Sequence, residues 1–231
     1  MNFWNSLDRD ERDCLFFHAA FALIVAAFLL APLTYSLGWK IFLLLVIYNI
    51  AIPVAGHSLG HRSWVNIWLF VFPLSILQIL PDFFLSAVLG SLIFPNTGFP
   101  FIGTVPAYMG LMWSLPLFGI VYTATRLRGR FESSKIYAIV ALLTFVILGV
   151  SEATLWMLPI WYAAPHILAP FHVAVYVIVA EIMLGCATWY AYRAVETHGW
   201  AARIVAAFVV MLIYTGALSL SYLVIEKLLR S

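Results

Sequence analysis

The chain is expected to be an all-α, polytopic membrane protein with seven transmembrane helices, its N-terminus cytoplasmic and its C-terminus outside. Composition is the first ground: 65% of the residues are hydrophobic and 10% charged, at a mean hydropathy of +1.02. Soluble domains carry roughly 25% charged residues. The second is a succession of apolar runs, each long enough to supply the roughly 20 residues that cross about 30 Å of hydrocarbon. The third is that these runs are continuous rather than alternating. In hydrocarbon the backbone must satisfy its own hydrogen bonds, and unbroken apolar runs do so as helices rather than as a barrel.

The runs fall near residues 15–37, 39–56, 64–94, 105–127, 134–157, 169–193 and 200–228. The first follows the mixed-charge "DRDERD", lacks a small-residue cleavage site and is long enough to span, so it reads as a retained helix rather than a signal peptide. Residues 1–14 form the expected cytoplasmic N-terminal segment of a single transmembrane domain covering 1–231. The third run exceeds one untilted crossing, and Pro73 and Pro81 should kink it. If it split into two crossings the count would become eight.

Charge sets the orientation. With seven crossings, Arg9, Arg12, Arg62, Arg126, Arg128, Arg130, Lys135, Arg193 and Arg203 share one side, against Lys40, Lys227 and Arg230 on the other. Lys and Arg accumulate on the cytoplasmic side. The expected location is the cell's inner (plasma) membrane. The stretch "PNTGFPFIGTVPAYMGLMW", residues 95–113, then becomes an extracytoplasmic lid. The net charge of +2 and the lack of a basic, aromatic-studded patch speak against a nucleic-acid partner.

Ten acidic residues are present; Asp8, Asp10, Glu11 and Asp13 precede the first run, and Glu132, Glu196 and Glu226 sit at or near helix ends. Asp82, Glu152 and Glu181 remain inside apolar runs, and no Lys or Arg occurs in 63–125 or 136–192. Ionisable groups at membrane depth cost roughly 2.5 kcal/mol or more to insert and are functional candidates by default. Run directions put all three in the middle or outer half of the membrane. Helical spacing sets Gln78 beside Asp82, Trp156 beside Glu152, and Tyr176 beside His172, with Glu181 across the helix from His172. Asn96, Thr97, Thr104, Tyr108 and Trp113 join from the lid side, and Trp161, Tyr162 and His166 from the second outer loop.

A carboxyl group taken out of water without a countercharge favours its neutral, proton-donating form. Two such groups close together can divide into donor and acceptor, the arrangement of general acid-base chemistry. Nearby aromatic faces stabilise a developing cation by roughly 0.5–2 kcal/mol each. Protonation of an alkene needs this combination, and the bilayer would deliver a polyene to it. Asp82 and Glu152 are the principal candidates for acid and base, with Glu181 and His172 next. Gln78, Asn96, Thr97, Tyr108, Trp113, Trp156, Trp161, Tyr162 and Tyr176 are candidates for contact with a lipid or isoprenoid-like substrate.

No nucleotide or redox motif is present, and no cofactor is expected. His57 and His61 have the spacing of two ligands, but "GHSLGHRSW" carries two glycines and lacks a second pair at the same depth, so no metal is expected. Cys14 and Cys186 form neither a CxxC nor a zinc pattern. Two other readings use the same residues: a proton-coupled small-molecule transporter or receptor, in which the acids bind and release protons, and a noncatalytic assembly subunit, in which each acid is bonded singly.

"TGFPF" at 97–101, followed by Tyr108, Trp113 and Pro116, and the later Glu152, Trp156 and Trp161 of "SEATLWMLPIWYAAP", resemble the integral-membrane carotenoid hydratases of the bacterioruberin type. Ile102 and Gly103 depart from that family's loop, the chain is shorter, and the later acid is Glu in place of Asp. "VAEIML" at 179–184 is similar, more distantly, to the acid-bearing helix of membrane lycopene cyclases, with one acid instead of two. The resemblance implies hydration, cyclisation or isomerisation of an isoprenoid by alkene protonation.

Overall fold

The computed structural model describes residues 7–230. Residues 1–6 of the expected N-terminal segment, and Ser231, lie outside the described residues. Among the described residues the helices form seven rods in chain order, joined by short connections and by the longer segment between Val88 and Met109 that includes the lid. Six of them are long and apolar enough to cross a membrane. The all-α expectation holds; the strands among the described residues are two-residue pieces in and just before the lid and in the loop around residues 162–163.

Helix α1 (Arg9–Leu30) begins earlier than hydropathy places it. Asp8 accepts a hydrogen bond from the Glu11 backbone while Glu11 reaches back to the Asp8 N–H, a reciprocal cap that starts the helix inside the charged segment. Pro32 follows its end. Helix α2 (Leu37–Leu59) ends on Gly60 in the left-handed conformation.

The third rod is one continuous helical element made of α3 (Arg62–Leu77), α4 (Ile79–Phe83) and a π-helical turn (Phe84–Val88). It is followed by β1 (Leu92–Ile93), β2 (Phe101–Ile102) and β3 (Val105–Pro106). The fourth rod comprises α5 (Met109–Met112) and α6 (Ser114–Leu127). Then come α7 (Ser133–Leu155), β4 (Tyr162–Ala163), a 3-10 turn (Pro170–His172), α8 (Val175–Val195), α9 (Trp200–Tyr222) and a second π-helical turn (Leu223–Leu228).

Three helix breaks share one cause. Proline has no N–H to give the carbonyl four residues earlier. Helix α3 ends at Leu77 before Pro81, α5 at Met112 before Pro116, and α7 at Leu155 before Pro159. The residues just past these breaks are Gln78, Trp113 and Trp156. The fourth rod is thereby shortened, and its first expected residues, 105–106, are extended instead.

Helix α9 packs on α8 and α3, α7 on α8, and α3 on α2 and α6, whereas α1 leans chiefly on α2. Charge separates the two ends. Arg126 pairs with Asp8, Asp10 and Glu11, Arg130 with Glu11, and His61 with Asp13 at 2.8 Å. Asp10 also accepts from the Trp64 indole at 2.7 Å and the Tyr122 hydroxyl at 2.8 Å. Lys40, at the opposite end, is buried and donates to the carbonyls of Leu29 and Ala31, which close α1.

Candidate functional site

The lid is fastened to the bundle at several points. Asn96 accepts from the Gly98 N–H at 2.9 Å, forming a local turn, and Gly98 takes φ 75°. Its carbonyl accepts from the Ser36 hydroxyl, and the Thr97 carbonyl accepts from the Gly38 N–H at 2.9 Å. Gly38 must be small, because a Cβ there would stand 2.6 Å from Phe99 Cβ and from the Thr97 hydroxyl oxygen. Phe99 fills the gap among Trp39, Phe42 and Tyr108, building a second hydrophobic cluster with Ile41, Leu45, Val105 and Ile160. Farther along, β1 pairs antiparallel with β4, and Thr104 meets Ser86 of the first π-helical turn at 2.6 Å.

Beneath this cover lies a cavity of about 300 Å³ with a predominantly apolar wall. Asp82 enters from α4, Glu152 from α7 and Glu181 from α8. Asp82 and Glu181 are 2% and 3% exposed, so neither relies on bulk water, and Glu152 is half-buried. The three carboxyl groups lie within electrostatic range of one another. Among the residues that line the cavity there is no Lys, Arg or His.

Each carboxyl group has a different partner. The Trp113 indole N–H donates to Asp82 Oδ2 at 3.2 Å, and the Trp161 indole N–H donates to Glu152 Oε1 at 2.8 Å. Glu181 Oε2 is buried and has no hydrogen-bond partner among the described residues. Both indoles depend on the proline breaks: Trp113 sits between α5 and α6, and the chain beyond α7 turns so that Trp161 returns to Glu152.

Tyr176 also lines the cavity and donates to the Ser91 hydroxyl at 2.6 Å. Tyr214 of α9 completes the wall, 1% exposed, packed edge-on to Trp113 at 5.9 Å and within electrostatic range of all three acids. Sequence reasoning missed Tyr214 and Ser91. A lone phenol in the middle of "VVMLIYTGALSL" was the signal for the first; Ser91, in a short connection, gave none.

Other sequence candidates lie elsewhere. Gln78 is fully buried one turn farther from the lid than Asp82, outside the cavity wall, with both amide atoms unpartnered. Thr97 and Tyr108 are buried in the lid's own cluster, 3.4 Å apart through their hydroxyls, while Asn96 is an exposed turn residue. These three secure the cover without lining the chamber.

Trp156 does not share a wall with Glu152. Because α7 has already ended, the i,i+4 relation fails; the Trp156 N–H turns back to the Ala153 carbonyl and its ring stacks on His172 at 4.3 Å. His172 and Tyr176 do not share a helical face either, since Pro170 and the left-handed Phe171 and His172 precede the start of α8. His172, Trp156 and Tyr162 instead border a shallow outer depression. Only Ala163, of β4, lines both spaces among the described residues.

His57 is exposed, and His61 is committed to Asp13 and Asp10. Among the described residues no cluster of three or more His, Cys, Asp or Glu has a geometry to hold a metal.

No curated protein and no solved structure matches the chain. A family model does match, over a stretch that takes in Asp82, Trp113, Glu152, Trp161, Glu181 and Tyr214, and hence every acid of the cavity. That model, described as "Domain of unknown function (DUF6989)", covers residues 79–225, more than half of the chain, and the chain belongs to this family.

Proposed function

We propose that the protein is a membrane-embedded acid-base enzyme that hydrates, cyclises or isomerises an isoprenoid or similar lipid by protonating an alkene. The observation that carries this reading is the convergence of Asp82, Glu152 and Glu181, from three separate helices, on one apolar cavity whose wall has no basic group. Structural acids bonded singly and apart would not need such a meeting point. The resemblance of the TGFPF loop and the Glu152 segment to carotenoid hydratases supports the isoprenoid part.

The chemistry assigns one proton to each of two carboxyl groups in turn. Each indole N–H occupies one oxygen of its acid and leaves the other for proton transfer. In an isomerisation, one acid gives its proton to an alkene carbon, leaving a cation on the neighbouring carbon. The second carboxylate takes a proton from the adjacent carbon through one of its own lone pairs, and the electron pair of the broken C–H bond forms the new double bond. In a hydration, a water molecule attacks the cation instead and loses its proton to that carboxylate. Trp113, Trp161, Tyr176 and Tyr214 line the same cavity, where aromatic rings can stabilise the developing charge.

The proposal places seven crossings in the membrane, with the charged end in the cytoplasm and the lid outside. Gathering nine Lys and Arg at one end favours that orientation. A lipid would enter sideways: α1 and α7 both contribute to the cavity wall without being principal packing partners of each other. A transporter reading gains from the broken third and fourth rods, which place Asp82 and Trp113 beside the cavity.

The test is mass spectrometry of lipids from cells producing wild type, Asp82→Asn or Glu152→Gln at equal levels. A product present with the wild type should disappear, and its precursor accumulate, in both variants. Identical lipid pools in all three would remove the case for catalysis.

A further inference from the structure

The cavity makes a statement about its ligand that does not depend on which reaction follows. Glu181 lines it, is 97% buried by the complement of its 3% exposure, and leaves Oε2 without a hydrogen-bond partner. A buried polar atom in that state normally has a partner, and leaving it unmade costs about 1–3 kcal/mol relative to pairing. Asp82 and Glu152 already receive indole N–H groups. Glu181 lines the cavity, so a molecule held there is placed to pair with it.

The wall disfavours an anionic head. An added negative charge would meet three carboxyl groups with no Lys, Arg or His in the wall and only weak donors nearby, one of which, the Tyr176 hydroxyl, is spent on Ser91. Diphosphates and fatty carboxylates are thereby disfavoured as occupants. The wall suits an apolar body such as a prenyl chain, and its volume of about 300 Å³ is at the small end of ligand sites, so a long tail would extend out between α1 and α7.

We infer that the cavity binds an apolar molecule whose polar end is uncharged or positive, a hydroxyl or an ammonium, and hydrogen-bonds Glu181 Oε2; a hydroxyl pairs with the carboxyl group in either protonation state, and an ammonium with its ionised form. Glu181 is thus the anchor for the ligand's head, and Asp82 and Glu152 face its body. The inference shares its cavity with the proposed enzyme but concerns binding alone.

Farnesol, farnesylamine and farnesoic acid, which share one tail, separate the possibilities. Binding to the full chain in detergent at about pH 8, where the acid is ionised, can be followed by quenching of the Trp113 and Trp161 fluorescence and by thermal shift. Farnesol and farnesylamine should bind, and farnesoic acid at least about tenfold more weakly, the effect of one hydrogen bond or like-charge contact. Glu181→Leu should weaken farnesol and farnesylamine by about tenfold and erase the discrimination. Glu181→Gln, which keeps an acceptor and the fold, should retain farnesol and weaken farnesylamine. Farnesoic acid binding as tightly as farnesol, or an unchanged ranking in a folded Glu181→Leu protein, overturns the inference. Tight binding of the two donors with unaltered cellular lipids would leave it standing and defeat the catalytic reading; an altered lipid product bearing a carboxylate or phosphate would do the reverse.

Discussion

Replacing Trp113 with Phe keeps most of an aromatic ring against Tyr214 and removes one atom pair, the N–H that donates to Asp82 Oδ2 at 3.2 Å. Asp82 is 2% exposed, so bulk water does not replace the lost donor. A buried acceptor left unpaired costs about 1–3 kcal/mol. For a chain of this length about 1 kcal/mol corresponds to about 2–4 °C in Tm, so the single variant should melt about 2–12 °C lower in detergent. Asp82→Leu alone strands the indole N–H in the same way. Combining the two should be less harmful than the sum, because removing both partners removes the unmet bond as well. Thermal unfolding of the four proteins gives the coupling directly, and about 1 kcal/mol or more is expected. Strictly additive losses would mean that Trp113 and Asp82 do not act as a pair, and the assignment of distinct donors to distinct acids would fail with them.

Gly38→Val should lift the lid, since its Cβ would stand 2.6 Å from Phe99 Cβ and 2.9 Å from the Thr97 carbonyl oxygen; faster backbone hydrogen exchange over residues 95–108, with helices α8 and α9 unaffected, is the expected readout. Arg126→Ala should cost more than a surface ion pair would, about 1–3 kcal/mol, because Asp10 and Glu11 are only 18% and 11% exposed and lose their cation; melting at low and high salt should keep wild type and variant apart.

Much of the cavity was legible because of what its residues lack. Asp82, Glu152 and Glu181 stand out in a chain where long segments contain no Lys or Arg, and hydrophobic runs of known length fix roughly how deep each lies. The faces around them were less legible. Helical spacing carries a side chain's direction only while the helix persists, and Pro159 and Pro170 interrupt it between Glu152 and Trp156 and between His172 and Tyr176. Trp161, nine positions beyond Glu152, became its donor because the chain turns after α7. Tyr214 lies far from all three acids in sequence, and no local pattern links it to them.

By itself the sequence determined the class of the protein, since composition and run length decide whether a chain can live in hydrocarbon, but not which prolines break a helix, since Pro53 and Pro73 lie inside α2 and α3 while α3, α5 and α7 end four residues before Pro81, Pro116 and Pro159. It also marked the acids that no nearby cation could neutralise. Only the tertiary structure decided which indole serves which carboxyl group, that Thr97 and Tyr108 hold the lid instead of lining the chamber, and that Glu181 Oε2 has no hydrogen-bond partner among the described residues. Those are relations between helices distant in the chain, fixed by packing and by the turns at broken helix ends, and a hydrogen bond or its absence exists only once both sides are in place.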